Sequence, residues 1–204
     1  MDANKLIIGV TGSIASGKSS FCHILKDLGF ELINSDEIVN ELYQKDGTAY
    51  KAITALGIDN ITKNDGEINK ENLRMLIFND PVMKQKVEAL VHPLVIDEIQ
   101  SRIQKSLKTN FAVEVPLLFE AGLQSMFPCI VTVFAEKENI LSNTEKKYGI
   151  KRAEAEKILS SQMDIEEKMK RSNFVIMNTG TIDDLREKAE SLLEKLKKRG
   201  GIKC

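Results

Sequence analysis

Hydrophobic and polar positions alternate along this chain in a pattern that predicts five strands set among helices. Short apolar runs rich in β-branched residues predict buried strands. These runs lie at residues 5–11, 30–34, 111–115, 129–134 and 174–177. Apolar residues at helical spacing predict helices at 19–28, over most of 37–108 and 136–170, and at 182–198. The strand–helix–strand order favours parallel pairing with right-handed crossovers.

Turn and capping residues divide the long helical region between the second and third strands. Gly47 and the polar residues 59–66 interrupt it. Asp80 followed by Pro81 predicts a helix start, because Asp caps a helix and Pro fits its first turn. A further helix is predicted to begin near Pro93.

The predicted elements assemble into one α/β domain of 204 residues with an open parallel sheet. Its core comes from three stretches of the chain, at about 1–36, 110–135 and 171–204. Two helical segments, at about 37–109 and 136–170, interrupt that core. Ligands bind beyond the carboxyl ends of the strands in such sheets, so polar residues that follow a strand are the candidates for a site.

The loop after the first strand carries the most informative motif of the chain. Residues 12–19 match the pattern G-x-x-x-x-G-K-[ST], and a strand precedes them and a helix follows. Glycines let the backbone turn its N–H groups inward as a nest for phosphate oxygens, and the helix N-terminus adds positive partial charge. The motif therefore predicts a three-layer P-loop fold that binds the phosphates of a nucleotide.

Individual residues of this loop have expected roles. Lys18 can reach the β- and γ-phosphates, and the Ser19 hydroxyl can ligate Mg²⁺. Ser16 and Ser20 either contact phosphate or cap the following helix. The residues expected to bind ATP are Gly12, Ser13, Ile14, Ala15, Ser16, Gly17, Lys18, Ser19 and Ser20.

Composition narrows the class of protein. A net charge of −1 gives no overall field for nucleic acid or anionic membranes, and no signal peptide or membrane-spanning run is evident. Three cysteines, Cys22, Cys129 and Cys204, lack metal-ligand spacing and read as idle thiols in a reducing compartment. We expect a cytoplasmic protein, a monomer or weak homo-oligomer, whose tail at 200–201 frays.

Three carboxylates lie at predicted strand ends, and each has two interpretations. Asp36 follows the second strand and can accept the proton of an attacking hydroxyl, cap the next helix, or do both. A carboxylate such as that of Glu114 costs free energy inside an apolar strand unless it is paired, so we expect Glu114 either to hold Mg²⁺ through water or to orient Ser19. Glu120 binds substrate or ends a solvated helix.

The remaining candidates are less specific. His92, at the predicted helix junction before Pro93, is a packing or capping group or a general base. Residues 178–180, with Asn178 and Gly180, approach the adenine or form a turn into the last helix. The basic segment 145–152 is a lid over the triphosphate or a solvated helical face.

Taken together, these residues resemble the dephospho-coenzyme A kinases. The matching pieces span about residues 5–190 in the family's order. They are 11–19, 28–30, 33–39, 73–74, 77–78, 92–94, 115–120, 162–163 and 174–180. The P-loop alone would indicate only a superfamily. Its combination with 92–94 and 116–120 is far more specific.

The resemblance implies that ATP phosphorylates the ribose 3′-hydroxyl of dephospho-coenzyme A, the last step of coenzyme A synthesis. It implies that Asp36 receives the hydroxyl proton and that the helical region around Arg74 and His92 holds the acceptor. It likewise implies that 37–109 is an acceptor-binding insertion and 136–170 a lid.

Two positions depart from the family pattern. Asn34 stands where the family often has a first acid, which leaves Asp36 as the only carboxylate of the pair. The places of the lid arginines hold Asn143 and Lys147, so Lys147, Arg152 or Arg171 is expected to bind phosphate instead, although lysine lacks the bidentate fork of arginine.

Three alternatives remain open from the sequence. One is a P-loop kinase for a nucleoside monophosphate or a shikimate-like acceptor. Another is a GTP-dependent switch, suggested by residues 62–65, which read T-K-N-D, but no D-x-x-G motif accompanies them. The third is a degenerate ATP-binding partner protein without turnover.

Overall fold

A computed structural model of the protein describes residues 5–198, which form five strands and nine α-helices. The strands are β1 (Leu6–Gly12), β2 (Glu31–Asn34), β3 (Asn110–Glu114), β4 (Cys129–Phe134) and β5 (Phe174–Met177). The helices are α1 (Lys18–Asp27), α2 (Ser35–Leu42), α3 (Thr48–Thr54), α4 (Lys70–Asn79), α5 (Pro81–Lys105), α6 (Lys137–Tyr148), α7 (Arg152–Ser160), α8 (Ile165–Arg171) and α9 (Ile182–Lys198), with a 3₁₀ turn at Leu123–Met126. The predicted α/β class is therefore confirmed.

The five strands form one parallel sheet in the order β2-β3-β1-β4-β5, with helices on both faces. β1 pairs with β3 from Leu6↔Asn110 to Val10↔Glu114, and with β4 from Ile8↔Cys129 to Gly12↔Val133. Strand β1 is thus central, and the loop that follows it lies at the carboxyl edge of the sheet. This is the edge where open parallel sheets bind ligands.

One face of the sheet packs against α1 and α9. Alternate strand residues such as Ile8 and Val10 point to that face, as the two-residue period of a strand requires. They meet Phe21 and Leu25 of α1 and Leu192 of α9, and all five side chains are buried. On the other face α8 packs against β4. The hydrophobic core therefore anchors both ends of α1, the helix that begins at the phosphate loop.

The described chain divides into two compact units. One runs to Ile33 and resumes at Leu107, and the other is Asn34–Ser106. The second unit begins three residues before residue 37 and ends three residues before residue 109, the limits of the expected insertion. Within it, α2, α3 and α4 each pack against α5.

Helix α5 corrects the predicted helix start near Pro93. A single helix of 25 residues runs through that proline, and His92 lies inside it, half-buried. Proline removes one backbone hydrogen bond and costs about 3 kcal/mol in a helix interior. Five apolar side chains on one stripe of the helix outweigh that cost, because burying each contributes about 1.5–3 kcal/mol. They are Val87, Val91, Val95, Ile99 and Ile103.

Helices α6, α7 and α8 occupy the segment expected to form a lid, and α6 packs against α7. Among residues 5–198, no helix is both long enough and apolar enough to cross a membrane. The expected fraying at 200–201 and the role of Cys204 concern residues outside the described range.

Candidate active site

At two positions, the phosphate loop between β1 and α1 adopts a backbone conformation that only glycine tolerates. Gly12 has φ +147°, and a Cβ there would collide with the Val133 carbonyl oxygen. Gly17 has φ +94°, and a Cβ there would collide with Nδ2 of Asn178. Left-handed backbone and close neighbours exclude side chains at both positions. The glycine spacing of the motif therefore has a steric reason in this fold.

The amino end of α1 is open to an anion. Gly17 is its N-cap residue, and within the described chain no side chain caps the first turn. The first N–H groups of such a helix lack intrahelical partners and carry positive partial charge. The capping role considered for Ser16 and Ser20 is therefore wrong, because neither hydroxyl caps the helix.

Lys18 is almost fully buried, with 6% of its surface exposed. Its Nζ donates a hydrogen bond to the Ser13 carbonyl oxygen at 2.7 Å. The buried ammonium thereby closes the loop on itself, and the Ser16 N–H donates to the same carbonyl at 3.2 Å. The loop is folded around a positive charge, as a site for phosphate requires.

The Ser16 hydroxyl is a buried polar atom with no hydrogen-bond partner among the described residues. Ser16 is fully buried, and leaving a buried hydroxyl unsatisfied costs about 1–3 kcal/mol. Such an orphan inside a phosphate loop fits a ligand oxygen that completes its hydrogen bonding.

Ser19 and Glu114 bring two oxygen donors together. The Ser19 hydroxyl donates to Oε1 of the buried Glu114 at 2.8 Å. Donation leaves the lone pairs of the serine oxygen for a cation. Mg²⁺ takes one or two protein oxygens and keeps water and substrate phosphates as its other ligands, so this donor set fits it. No cluster of three acidic, His or Cys ligands occurs among residues 5–198.

The segment after α7 reaches the phosphate loop through Gln162. Its Oε1 accepts a hydrogen bond from the Ile14 N–H at 2.9 Å. Sequence reasoning noted residues 162–163 as a family motif but assigned them no role. The contact joins residues 148 positions apart, so no local pattern could have revealed it.

Asn178, expected near the adenine, supports the loop from the other side. Its Nδ2 donates to the Ser16 carbonyl oxygen at 2.9 Å, and its own N–H donates to the Phe134 carbonyl oxygen at 2.7 Å. Gly180 lies against the carboxylate of Asp184, which accepts from the Thr181 N–H at the start of α9. The end of β5 is thus tied to both the loop and α9.

Glu120 is exposed in part but has two partners in the protein. Its Oε1 accepts from the Met163 N–H at 2.9 Å and pairs with Nζ of Lys168 at 2.8 Å. Lys168 has no exposed side-chain surface and also donates to the Pro116 carbonyl oxygen at 3.1 Å. Sequence reasoning missed Lys168, because a lysine between charged helical residues gives no signal of burial.

A cleft of about 910 Å³ lies between the loop and the helices α6–α8. Ser13 and Gln162 line it together, with Lys137 and Lys157 as cations and Glu156 and Asp164 as anions. Its other walls are mainly apolar, from the end of β4 and the inner sides of α6 and α7. The size suits a nucleotide or a substrate of similar bulk.

The two expected lid cations have partners on their own helices or nearby. Nη2 of Arg152 binds both carboxylate oxygens of Glu138 at 2.8 and 2.9 Å, and Nε lies 3.6 Å from Glu156. Lys147 lies over the Tyr148 ring, 5.3 Å from its centroid. Both side chains are exposed at the protein surface.

In the unit Asn34–Ser106, Asn34 caps α2. Its Oδ1 accepts from the N–H groups of Asp36 and Glu37 at 2.9 and 3.3 Å. The capping role considered for Asp36 is therefore wrong, and the departure from the family pattern at Asn34 has a structural use. Asp36 is exposed in the first turn of α2.

Arg74 is exposed on α4, and its side chain hydrogen-bonds to none of the residues that the structure describes. The half-buried side chain of His92 on α5 likewise has no hydrogen-bond partner among these residues.

The thiol of Cys22 is fully buried in α1. Burial raises its pKa well above the usual value, the nearby Glu114 charge raises it further, and the Lys18 charge lowers it. A protonated, buried thiol fits the packing role expected for it.

A family model described as dephospho-CoA kinase matches residues 6–184. The chain belongs to this family. A dephospho-CoA kinase of Carboxydothermus hydrogenoformans is 34% identical over 194 residues, which are 94% of each chain. Membership of the dephospho-CoA kinase family makes the chain an ATP-using transferase with an alcohol acceptor, which confirms the prediction of the family and of the enzyme class.

Solved structures agree with this assignment. TT1252 from Thermus thermophilus has a TM-score of 0.84 at 28% identity, over 95% of this chain and 98% of that one. A dephospho-CoA kinase from Campylobacter jejuni has a TM-score of 0.68 at 30% identity, with the same coverage. The shikimate kinase of Acinetobacter baumannii, at 17% identity and a TM-score of 0.57 over 96% and 94%, shares the fold alone.

Proposed function

We propose that this dephospho-CoA kinase family member transfers the γ-phosphoryl group of ATP to the ribose 3′-hydroxyl of dephospho-CoA, giving CoA and ADP. The observation that carries the proposal is the phosphate loop, with its buried Lys18, its uncapped helix end and its unsatisfied Ser16 hydroxyl. All three features support the binding of an anion such as a phosphate group. The family match supplies the acceptor.

The loop binds and orients the triphosphate. Backbone N–H groups of the loop other than those of Ile14 and Ser16, which have protein acceptors, donate to its oxygens. The Lys18 ammonium has three N–H donors, so it can hold the Ser13 carbonyl oxygen and reach the β- and γ-phosphates. Gly12 and Gly17 permit that approach. Positioning and charge neutralisation are most of what phosphoryl transfer requires of a protein.

Ser19 and Glu114 are the residues that would hold Mg²⁺, Ser19 through its hydroxyl and Glu114 through water. When bound, Mg²⁺ supplies positive charge that neutralises the β- and γ-phosphate oxygens.

Asp36 is the proposed proton acceptor. Because Asn34 caps α2, the Asp36 carboxylate is not needed at the helix start. An exposed carboxylate can accept the proton of the 3′-hydroxyl as that oxygen attacks the γ-phosphorus, and can orient it beforehand. A protein kinase uses an Asp in the same way.

Arg74 and His92 are proposed to hold the acceptor. An exposed guanidinium is suited to a phosphate of the acceptor, because its planar fork matches phosphate oxygens. Lys147 and Arg152 are proposed to close over the triphosphate. Arg152 would exchange Glu138 for phosphate, a change of partner that an exposed ion pair permits at little cost.

An acceptor panel with ADP detection tests the proposal. Purified protein and Mg-ATP are mixed with dephospho-CoA, with its 3′-deoxy analogue, with AMP and with shikimate. We expect ADP release with dephospho-CoA and only background release with the 3′-deoxy analogue. Equal release with AMP or shikimate would instead assign another small-molecule acceptor, and no release with any acceptor would indicate an ATP-binding protein without turnover.

A further inference from the structure

The turn between α7 and α8 is fixed to the rest of its unit at two neighbouring residues. Gln162 accepts the Ile14 N–H through Oε1, and Met163 donates its N–H to Glu120. One contact reaches the phosphate loop and the other reaches the segment after β3. The turn therefore lies between the loop and a carboxylate, with its backbone and one side chain both engaged.

The carboxylate is itself held by a buried cation. Lys168 of α8 pairs with Glu120 at 2.8 Å, and the two side chains are 0% and 21% exposed. Removing an ammonium from water is costly unless its partners are well placed. Lys168 meets that condition through Glu120 and the Pro116 carbonyl oxygen, which also accepts from the Thr11 hydroxyl at the end of β1. A buried lysine thus links α8 to the strand that precedes the loop.

We propose that Gln162 is a positioning residue for the phosphate loop and that the ion pair between the buried Lys168 and Glu120 is its anchor. The proposal rests on the use of ATP in the proposed function. Gln162 acts on the nucleotide by holding the loop backbone through the Ile14 N–H and by presenting a neutral amide to the cleft that Ser13 also lines. Lys168 acts only through Glu120 and the turn.

The chemistry of an amide side chain explains why glutamine suits this position. Its oxygen accepts the loop N–H, and its NH₂ group can donate to an anion. Glutamate has the same size and would accept the same N–H, but its charge would repel phosphate. Ser13 and Gln162 line the same cleft, so a phosphate held by the loop lies within the field of residue 162.

Two substitutions at this position separate positioning from simple packing. Gln162→Ala removes one hydrogen bond and should weaken ADP binding about tenfold. Gln162→Glu keeps the acceptor and adds a charge, so ADP binding should weaken about a hundredfold. Adenosine, which has no phosphate, should bind both variants as it binds the wild type. A merely structural role would weaken both ligands alike.

The anchor is tested by removing its two charges together. Lys168→Met/Glu120→Ala leaves no buried charge without a partner and should weaken ADP binding about as much as Gln162→Ala does. Adding Gln162→Ala to it should cause no further loss, because the three residues act as one unit. Lys170→Met is the matched control, an exposed lysine on the same helix, and should bind ADP normally.

Calorimetry with ADP and ligand-detected NMR with adenosine provide the measurements, with unfolding midpoints as the check on folding. Wild-type ADP affinity in Gln162→Glu, equal losses for ADP and adenosine, or additive losses in the triple variant would overturn the proposal. None of these assays contains an acceptor. A failure to phosphorylate dephospho-CoA would therefore leave this proposal standing, whereas absent ADP binding by the wild type would overturn both.

Discussion

Candidate residues of the phosphate loop are hydrogen-bonded to other described residues of the protein, whereas two candidate side chains of the unit Asn34–Ser106 are not. In the loop, Lys18, Ser19 and Ile14 already have partners in Ser13, Glu114 and Gln162. On α4 and α5, Arg74 and His92 contact no hydrogen-bond partner among the described residues. The loop is organised by contacts within the protein, whereas the side chains of these acceptor candidates are held by no hydrogen bond to the described residues.

This contrast has a physical consequence. Donors fixed before the ligand arrives do not have to reorganise during the reaction, so they contribute most to its rate. Exposed side chains lose conformational freedom when they bind, so their contribution appears in affinity. We expect changes in the loop to affect turnover or stability, and changes at Arg74 to affect only the acceptor KM.

The largest effect is expected at Lys18. Lys18→Ala removes the buried ammonium that closes the loop, and we expect kcat to fall about a thousandfold. Lys26→Ala, an exposed lysine on the same helix, is the control and should keep full turnover. Steady-state kinetics measure both. A Lys18→Ala enzyme within tenfold of wild type would remove the loop from the mechanism.

A substitution at Asp36 tests whether a residue of the unit Asn34–Ser106 affects turnover as well as substrate binding. Asp36→Asn should lower kcat about a hundredfold while both substrates still bind, because only proton acceptance is lost. Glu37→Gln removes the neighbouring exposed carboxylate and should leave kcat unchanged. Unaltered turnover in Asp36→Asn would refute the role of proton acceptor.

Two glycines have similar backbone angles but different surroundings. Alanine substitutions at these positions therefore distinguish the cost of backbone strain from the cost of a steric clash. Gly17 has φ +94° and Gly29 has φ +96°, but a Cβ meets Asn178 at Gly17 and no atom within 4 Å at Gly29. Gly29→Ala should lower the free energy of unfolding by about 1 kcal/mol, and Gly17→Ala by about 3 kcal/mol. Denaturant titration measures the difference. Equal losses would mean that Asn178 does not restrain the loop.

The smallest effect is expected at Arg74. Arg74→Ala should raise the KM for dephospho-CoA about tenfold and leave the KM for ATP unchanged, because one charge-assisted hydrogen bond is lost. Lys51→Ala removes an exposed cation from the same unit as a control. A change in the KM for ATP alone would assign Arg74 to the other substrate.

The sequence predicted the sheet and the loop well because both depend on local patterns. Short apolar runs marked all five strands, and residues 12–19 identified the site. The helix start near Pro93 was wrong, because packing of the Val87–Ile103 stripe on α2–α4 overrides a local breaker. Asn34 looked like a departure from a family pattern, yet it caps α2.

Contacts between distant residues lay beyond any local pattern. Gln162 meets Ile14, and Lys168 meets Glu120, only because α8 packs on β4 next to the loop. A lysine in a charged segment reads as solvated, so its burial needs the fold to be known. The roles of Asp36, Arg74, Lys147 and Arg152 stay predictions.

One measurement tests the proposed reaction most directly. Purified protein, Mg-ATP and dephospho-CoA are incubated, and the product is examined by mass and by phosphorus NMR. We predict one ADP per product and a single added phosphoryl group, present as a monoester on the ribose 3′-oxygen. Hydrolysis of ATP with the acceptor unchanged, or a phosphate at another position, would contradict the account.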